Sequence, residues 1–422
     1  MPVSHINDLE EQLRQDRRLG KARRRKRLLR RLLPPLLLLL LVVGLFLLLR
    51  KDSDDPASET ESAVHGSSSV TISFVGDICL DRDMLQSFRV GADYDFSPLL
   101  RRIVTRLAAA DLTVGNLEGN VVGNDEIEDN AYPPALLQAL YDVGFDVLQT
   151  SNSFSIQNGM TGLSATKQAI REAGIDPLGT WDSREDREQN GVLIREVNGL
   201  RIAFLAYTKD MNNLRLPAGS DYCVNLLYTD YDTNYSTVAR TAIANTVEEA
   251  KAKNPDLIVA LVHWGSEYDK EITDSQRSIA KLLFDSGVNL IVGSHSHLVG
   301  PMELKNRVLS PFGGSFIAYS LGDFISSAES SSARNGCILS VTVSKNDDGF
   351  RITGLEYAPT YTAAPNEDYG TSAYEVLDTL DAIAFYESGY YDRVSQTLYE
   401  KLVSAVEKMK EQTGLAEMQA AR

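Results

Sequence analysis

From Val70 onward, short apolar β-rich runs alternate with longer stretches whose apolar residues recur at helical spacing. The runs are Val70–Val75, Leu112–Val114, Val147–Leu148, Ile202–Ala206, Leu257–Val262, Leu290–Val292 and Phe316–Tyr319. Between them, 98–109, 134–143, 162–173, 237–253 and 274–286 have the spacing of helices that bury one face. Runs too short for helices, separated by helical segments, predict an α/β domain with a largely buried sheet. Residues 374–421 are expected to be helical, with an amphipathic stretch at Tyr399–Met409.

One apolar run is of another kind. Residues 32–49 hold no charge, and as a helix their 18 residues would extend roughly 27 Å, close to the thickness of a bilayer core. A basic segment precedes the run and Arg50-Lys51 closes it. Lys and Arg favour the cytoplasmic side, so the N-terminus is expected inside and the rest outside the cell. Leu49 meets Arg50 rather than a small-residue cleavage site, which favours an uncleaved anchor over a signal peptide. The expected organisation is a basic cytoplasmic tail (1–31), one transmembrane helix (32–49), a polar stalk (50–69), an α/β domain (70–360) and a C-terminal helical extension (361–422).

Charge sharpens this division. The 422 residues carry a formal −16, but residues 1–51 hold 13 Lys/Arg against 4 Asp/Glu, leaving 29 against 54, or −25, for the remainder. A body so acidic disfavours nucleic acid, whose binding depends on neutralising phosphates. Three cysteines, Cys79, Cys223 and Cys337, cannot all pair within one chain and fit no zinc spacing.

The chemistry collects where the apolar runs end. Val70–Val75 leads to Asp77, Leu112–Val114 to Asn116 and Glu118, and Val147–Leu148 to Asn152. Leu257–Val262 leads to His263, Trp264 and Glu267, Leu290–Val292 to His295 and His297, and Phe316–Tyr319 to Asp323. Ligands of open α/β sheets sit beyond the carboxyl ends of the strands, so these groups can converge. Imidazole with carboxylate oxygen suits Zn, Mn or Fe, and two such ions can activate a water and stabilise a leaving oxygen. Each residue also has a plainer reading. His295 and His297 can cap a turn, Asp77 can cap a helix, and Asn116 or Glu118 can form a turn. Trp264 can be a packed wall, and Glu267 can be a solvated carboxylate as well as a base.

The segments, taken in order, resemble the CapA family, described as poly-γ-glutamate capsule biosynthesis proteins and placed among the calcineurin-like metallophosphoesterases. The resemblance rests on Ser73-Phe-Val-Gly-Asp77 with Arg82 downstream, on Asp111-Leu-Thr-Val-Gly-Asn-Leu-Glu118-Gly, and on His263-Trp-Gly-x-Glu267 followed by Gln276. It extends to Gly293-Ser-His-Ser-His297 and Tyr319-Ser-Leu-Gly-Asp-Phe324. It implies a four-layer sandwich of two β-sheets flanked by helices, with one or two divalent ions (Mn, Zn or Fe) held by Asp77, Glu118, His263, His295 and His297. Arg82, Asn116, Asn152 and Trp264 would face substrate, and Glu267 would serve in acid–base chemistry. The implied partners are a cell-envelope polymer and membrane proteins of capsule synthesis.

The sequence departs from the family mildly at Asp323, where the family has Asn, and more seriously at one other place. Ser151-Asn-Ser-Phe-Ser-Ile-Gln-Asn-Gly159 stands where the family has Ala-Asn-Asn-His-x-x-Asp-x-Gly. Ser153 replaces an Asn that ligates metal in the wider superfamily. Phe154 replaces a His that assists the leaving group, and phenylalanine neither donates a proton nor holds charge. Two readings stay open: a metal-dependent hydrolase or transferase, and a non-catalytic binding or scaffold subunit with a degenerate site.

Overall fold

The computed structural model describes residues 68–305, 314–346, 349–365, 367, 373–390 and 394–414. The basic tail, the 32–49 span and nearly all of the stalk lie outside the described residues. Among the described residues no helix is long and apolar enough to cross a membrane.

Fourteen strands form two sheets. In chain order they are β1 (Ser68–Cys79), β2 (Leu112–Leu117), β3 (Val147–Gln149), β4 (Asp176–Leu178), β5 (Leu193–Val197), β6 (Leu200–Thr208) and β7 (Leu257–His263). They continue with β8 (Leu290–Ser294), β9 (Met302–Lys305), β10 (Ser315–Ala318), β11 (Asp323–Ser326), β12 (Asn335–Asn346), β13 (Gly349–Ala363) and β14 (Glu375–Asp378). The first sheet runs β14-β13-β12-β1-β2-β3-β4, with β11 pairing parallel to the far end of β1. The second runs β9-β10-β8-β7-β6-β5. The second sheet is parallel at its centre with an antiparallel strand at each edge, whereas in the first sheet β1, β2, β3 and β4 are parallel and β1, β12, β13 and β14 pair antiparallel in succession.

Side-chain alternation explains the layers. Along β6, Ile202, Phe204 and Ala206 enter the core between the sheets, while Ala203, Leu205 and Tyr207 enter a second core. A strand buried on both faces needs apolar residues at successive positions, which is why β6 and β7 read as continuous runs. The outer core of the second sheet is completed by Ile243 and Val247 of α3 (Arg240–Ala252) and by Ile279 and Leu283 of α4 (Asp274–Ser286). The outer face of the first sheet packs on Leu136 and Leu140 of α1 (Pro134–Val143) and Ile170 of α2 (Gly159–Glu172). Helix, sheet, sheet, helix: the expected four layers are present.

Two helical expectations are corrected. The 98–109 stretch forms two short helices, Ser97–Leu100 and Val104–Ala108. The segment from Tyr374 begins as a strand, because Val376 and Leu377 are buried in different cores and only an extended backbone sends neighbouring side chains to opposite faces. Helix starts one residue later: the Asp378 carboxylate accepts from the N–H groups of Leu380 and Asp381 and caps α5 (Thr379–Glu387). The last element is α6 (Gln396–Thr413).

Candidate metal centre

The site is assembled at one end of both sheets. Asp77 and Asn116 come from the ends of β1 and β2, Asn152 follows β3, His263 ends β7, and His295 and His297 lie in the bend after β8. A bulge aims the first of these. Phe74 pairs with Val114, but the next pairing is Asp77 with Asn116, so β1 has one more residue than β2 between them. The extra residue turns Asp77 to the face that Phe74 presents to the second sheet. Gly76 sits inside this bulge, where a Cβ would lie 1.7 Å from the carbonyl oxygen of Gly322. The same carbonyl accepts from the Asp77 N–H at 3.0 Å. Only glycine admits that approach.

Polar contacts then set each side chain. Asn116 Nδ2 donates to Asp77 Oδ1 at 2.6 Å, and the His295 N–H donates to Asp77 Oδ2 at 3.0 Å. His263 Nδ1 is hydrogen-bonded to Ser294 Oγ at 2.9 Å, which leaves its Nε2 facing Glu118 at 3.4 Å. His297 Nδ1 donates to Asp323 Oδ1 at 2.8 Å. Both bend histidines have left-handed backbones, His295 at φ 93° and His297 at φ 57°, a costly conformation for non-glycine residues that recurs at functional sites. Orienting one imidazole nitrogen so that the other is offered inward is how proteins prepare metal ligands.

Two groups of donor atoms result, each within 4.8 Å: Glu118 with His263 and His295, and Asp77 with Glu118 and His297. Glu118 belongs to both. Both Glu118 carboxylate oxygens, His263 Nε2 and His295 Nδ1 are buried without a hydrogen-bond partner. A buried carboxylate with both oxygens unsatisfied is costly. A divalent cation held by Glu118, His263 and His295 would satisfy these atoms, so the residues present fit the metal that the resemblance implies.

At His263 and His295 the electrostatics agree with the geometry. Burial pushes the Glu118 carboxyl up to about 8 and raises Asp77, helped there by the Glu118 charge. Burial holds His263 down to about 4 and His295 well below its usual value, so both imidazoles are neutral, as ligands must be. Burial opposes a charge on His297 too, but the Asp323 hydrogen bond and carboxylate charge win and carry it to about 10. Burial brings Asp323 itself up to about 6 despite the imidazole beside it.

The other expected residues divide. Asn152 is buried at the site, but its Nδ2 donates to Asn116 Oδ1 and to the Leu117 carbonyl, and its Oδ1 accepts from the Phe154 N–H. Its carboxamide holds Asn116 in place. Trp264 is 1 % exposed, stacked on Tyr319 in the outer core of the second sheet with Nε1 donating to the Tyr319 carbonyl, so it has no face for a ligand. Glu267 is exposed, and its charge acts on Glu118. Arg82 opens the short helix Arg82–Ser87 at the surface, its N–H donating to Asp129.

Three neighbours escaped the motif reading. Ser294, which orients His263, is evident only from the pairing of β7 with β8. Asp210 is buried, and its charge acts on both Glu118 and His263. It follows β6 as the other residues follow their strands, so that signal was present. Tyr268, 57 % exposed and at φ 57°, stacks on His297 with ring centroids 5.1 Å apart.

Comparison with known proteins bears on the same region. The family described as "Bacterial capsule synthesis protein PGA_cap" matches residues 71–328, more than half of the chain. "PGA biosynthesis protein CapA" of Bacillus subtilis (strain 168) is 28% identical over 299 residues, covering 68% of this chain and 71% of that protein. "Capsule biosynthesis protein CapA" of Bacillus anthracis is 27% identical over 268 residues, covering 61% of this chain and 59% of its own length. Among solved structures, the calcineurin-like phosphoesterase YfkN of Bacillus subtilis aligns over 82% of this chain and 98% of its own, at 12% identity and a TM-score of 0.38.

Proposed function

We propose, from the premise that this chain belongs to the PGA_cap family of bacterial capsule synthesis proteins, that it acts on a cell-envelope polymer of the poly-γ-glutamate type through a metal centre built on Glu118. In this reading it is a calcineurin-like metal-dependent hydrolase or transferase. It is anchored in the cell membrane through residues 32–49, with the basic tail inside and the acidic domain outside, where it meets membrane proteins of capsule synthesis. The observation that carries the reading is the buried Glu118 carboxylate, shared by two ligand groups and unsatisfied on both oxygens. A bound divalent cation would supply Lewis acidity toward a carbonyl or phosphoryl oxygen and a water activated near neutral pH.

The chain's own groups do the rest. Ser294 and Asp323 orient His263 and His297, and Asn152 and Asn116 hold Asp77. Glu267, exposed beside the centre, is the group available to move a proton to or from a leaving atom. The test begins with elemental analysis of the full-length chain after loading with Mn, Zn or Fe and removal of free ion. Near-stoichiometric metal is expected. Chain-length analysis of poly-γ-glutamate then reads cleavage or transfer. No retained metal with any of the three ions would sink the hydrolase reading.

One observation favours the scaffold alternative. Phe154 stands where the family has its leaving-group histidine, and the Asn152 carboxamide is committed to structural hydrogen bonds. The double variant Ser153→Asn/Phe154→His separates the two readings. Metal-dependent cleavage present in the wild type and rising in the variant marks a hydrolase with a weakened site, whereas cleavage appearing only in the variant marks a degenerate one. Metal retained with no cleavage in either protein marks a binding subunit.

A further inference from the structure

The turn that carries His297 continues into Leu298 and Val299, which line a groove of 410 Å³ outside the metal centre. Another wall of this groove is α6. Thr397, Lys401, Ser404, Lys408 and Gln412 recur every three or four residues and form one stripe along the helix. From Thr397 to Gln412 that stripe extends on the order of 22 Å. A half-open track of that length fits several units of an extended chain better than a single small molecule.

Its charge is opposite to that of the domain around it. Lys270, Lys401 and Lys408 line the groove against one carboxylate, Glu400, whose Oε1 already accepts from Gln396. Lys401 is held by Glu367, a carboxylate that Arg334 also pairs with. Lys270 and Lys408 are exposed and make no ion pair among the described residues. In a body of 29 basic against 54 acidic residues, such a row is where a polyanion is attracted rather than repelled. The track also leads to the centre. Lys270 stands two residues beyond Tyr268, whose ring covers His297 and whose N–H donates to the Ser296 carbonyl at 2.9 Å.

We propose that this groove is a docking track for an extended polycarboxylate chain, with Lys270 and Lys408 binding its carboxylates and aligning it toward the metal centre. The track rests on the envelope-polymer reading and deepens it. It lies largely on α6, beyond the 71–328 region that matches the family. Binding here does not require a metal ion, which separates its test from that of the centre.

The experiment titrates a labelled poly-γ-glutamate decamer with the full-length chain at low salt, by fluorescence anisotropy, in metal-loaded and metal-stripped forms. Binding is expected in both forms, weakened by salt and not displaced by a neutral dextran oligomer. Lys270→Glu/Lys408→Glu should weaken it at least about tenfold, with melting temperature and metal content unchanged, and Lys270→Arg/Lys408→Arg should restore it. No binding to the wild type, or equal binding to the charge-reversed variant, overturns the track. So does binding that occurs only with metal present. Metal content, measured on the same samples, reports separately on the centre.

Discussion

Glu118 is the residue that both candidate ligand groups share, and both of its carboxylate oxygens are buried without a hydrogen-bond partner. Glu118→Gln is therefore expected to abolish retained metal, whereas His295→Ala, which touches one group only, should lower the metal content and leave part of it. Elemental analysis after dialysis reads both, and equal loss in the two variants would contradict a shared carboxylate. Asp323 acts one step further out. Asp323→Asn keeps a hydrogen-bond acceptor for His297 Nδ1 but removes the charge that holds the pair. Losses from changes to such supporting partners are typically 10- to 100-fold in metal affinity, with full loading recovered at high metal concentration. A competition titration against a chelator measures this.

At the scale of elements, two local features decide whether the site forms. The β1 bulge needs Gly76, since a methyl group there collides with the Gly322 carbonyl. Gly76→Ala should lower both the melting temperature and the metal content, because the end of β1 carries Asp77. One carboxylate links β13 to the last helix. Glu367 accepts from Arg334, from Tyr361, from the Ala364 N–H and from Lys401, so it joins β13 to α6. Burial acts to raise its titration point, but these donors, Lys401 foremost, bring it down to about 2. A carboxylate depressed on folding contributes stability above its unfolded value near 4.5, and that stability is lost as pH falls toward about 2. Denaturant unfolding from pH 6 to pH 2 should show this loss in the wild type and a smaller one in Glu367→Gln. Identical profiles would remove Glu367 from its role as a tie.

For the whole molecule, the candidate ligands come from both sheets: Asp77 and Glu118 from the first, His263, His295 and His297 from the second. A cation held there binds the folded chain and not the unfolded one, so it should stabilise folding by about 2.7 kcal/mol at a hundredfold excess over its dissociation constant. Thermal unfolding with and without chelator is expected to show that rise, and Glu118→Gln should erase it. The core between the sheets supports the same geometry. Phe204→Ala empties a fully buried position in that core and should cost about 3–5 kcal/mol, with metal retention falling alongside stability.

Composition and periodicity by themselves determined the α/β class, the division between basic head and acidic body, and the strand ends where chemistry gathers. Strands buried on both faces announce themselves as continuous apolar runs, and polar residues that interrupt such runs are rarely there for packing. The 134–143 and 274–286 helices are found where the spacing put them. What the chain alone did not show are features that need a partner distant in sequence. The β1 bulge exists because Gly76 meets Gly322, and His263 points inward because Ser294 comes beside it from the next strand. Trp264 looks like a site residue in the motif, yet it packs outward because its neighbour His263 takes the inner face. The strand at 375–378 forms because β13 offers it an edge, and without that edge its residues read as the start of a helix. Periodicity is local and survives in one dimension. The choice of face, register and partner depends on which strands and turns meet in the folded chain, and that is settled only by tertiary structure.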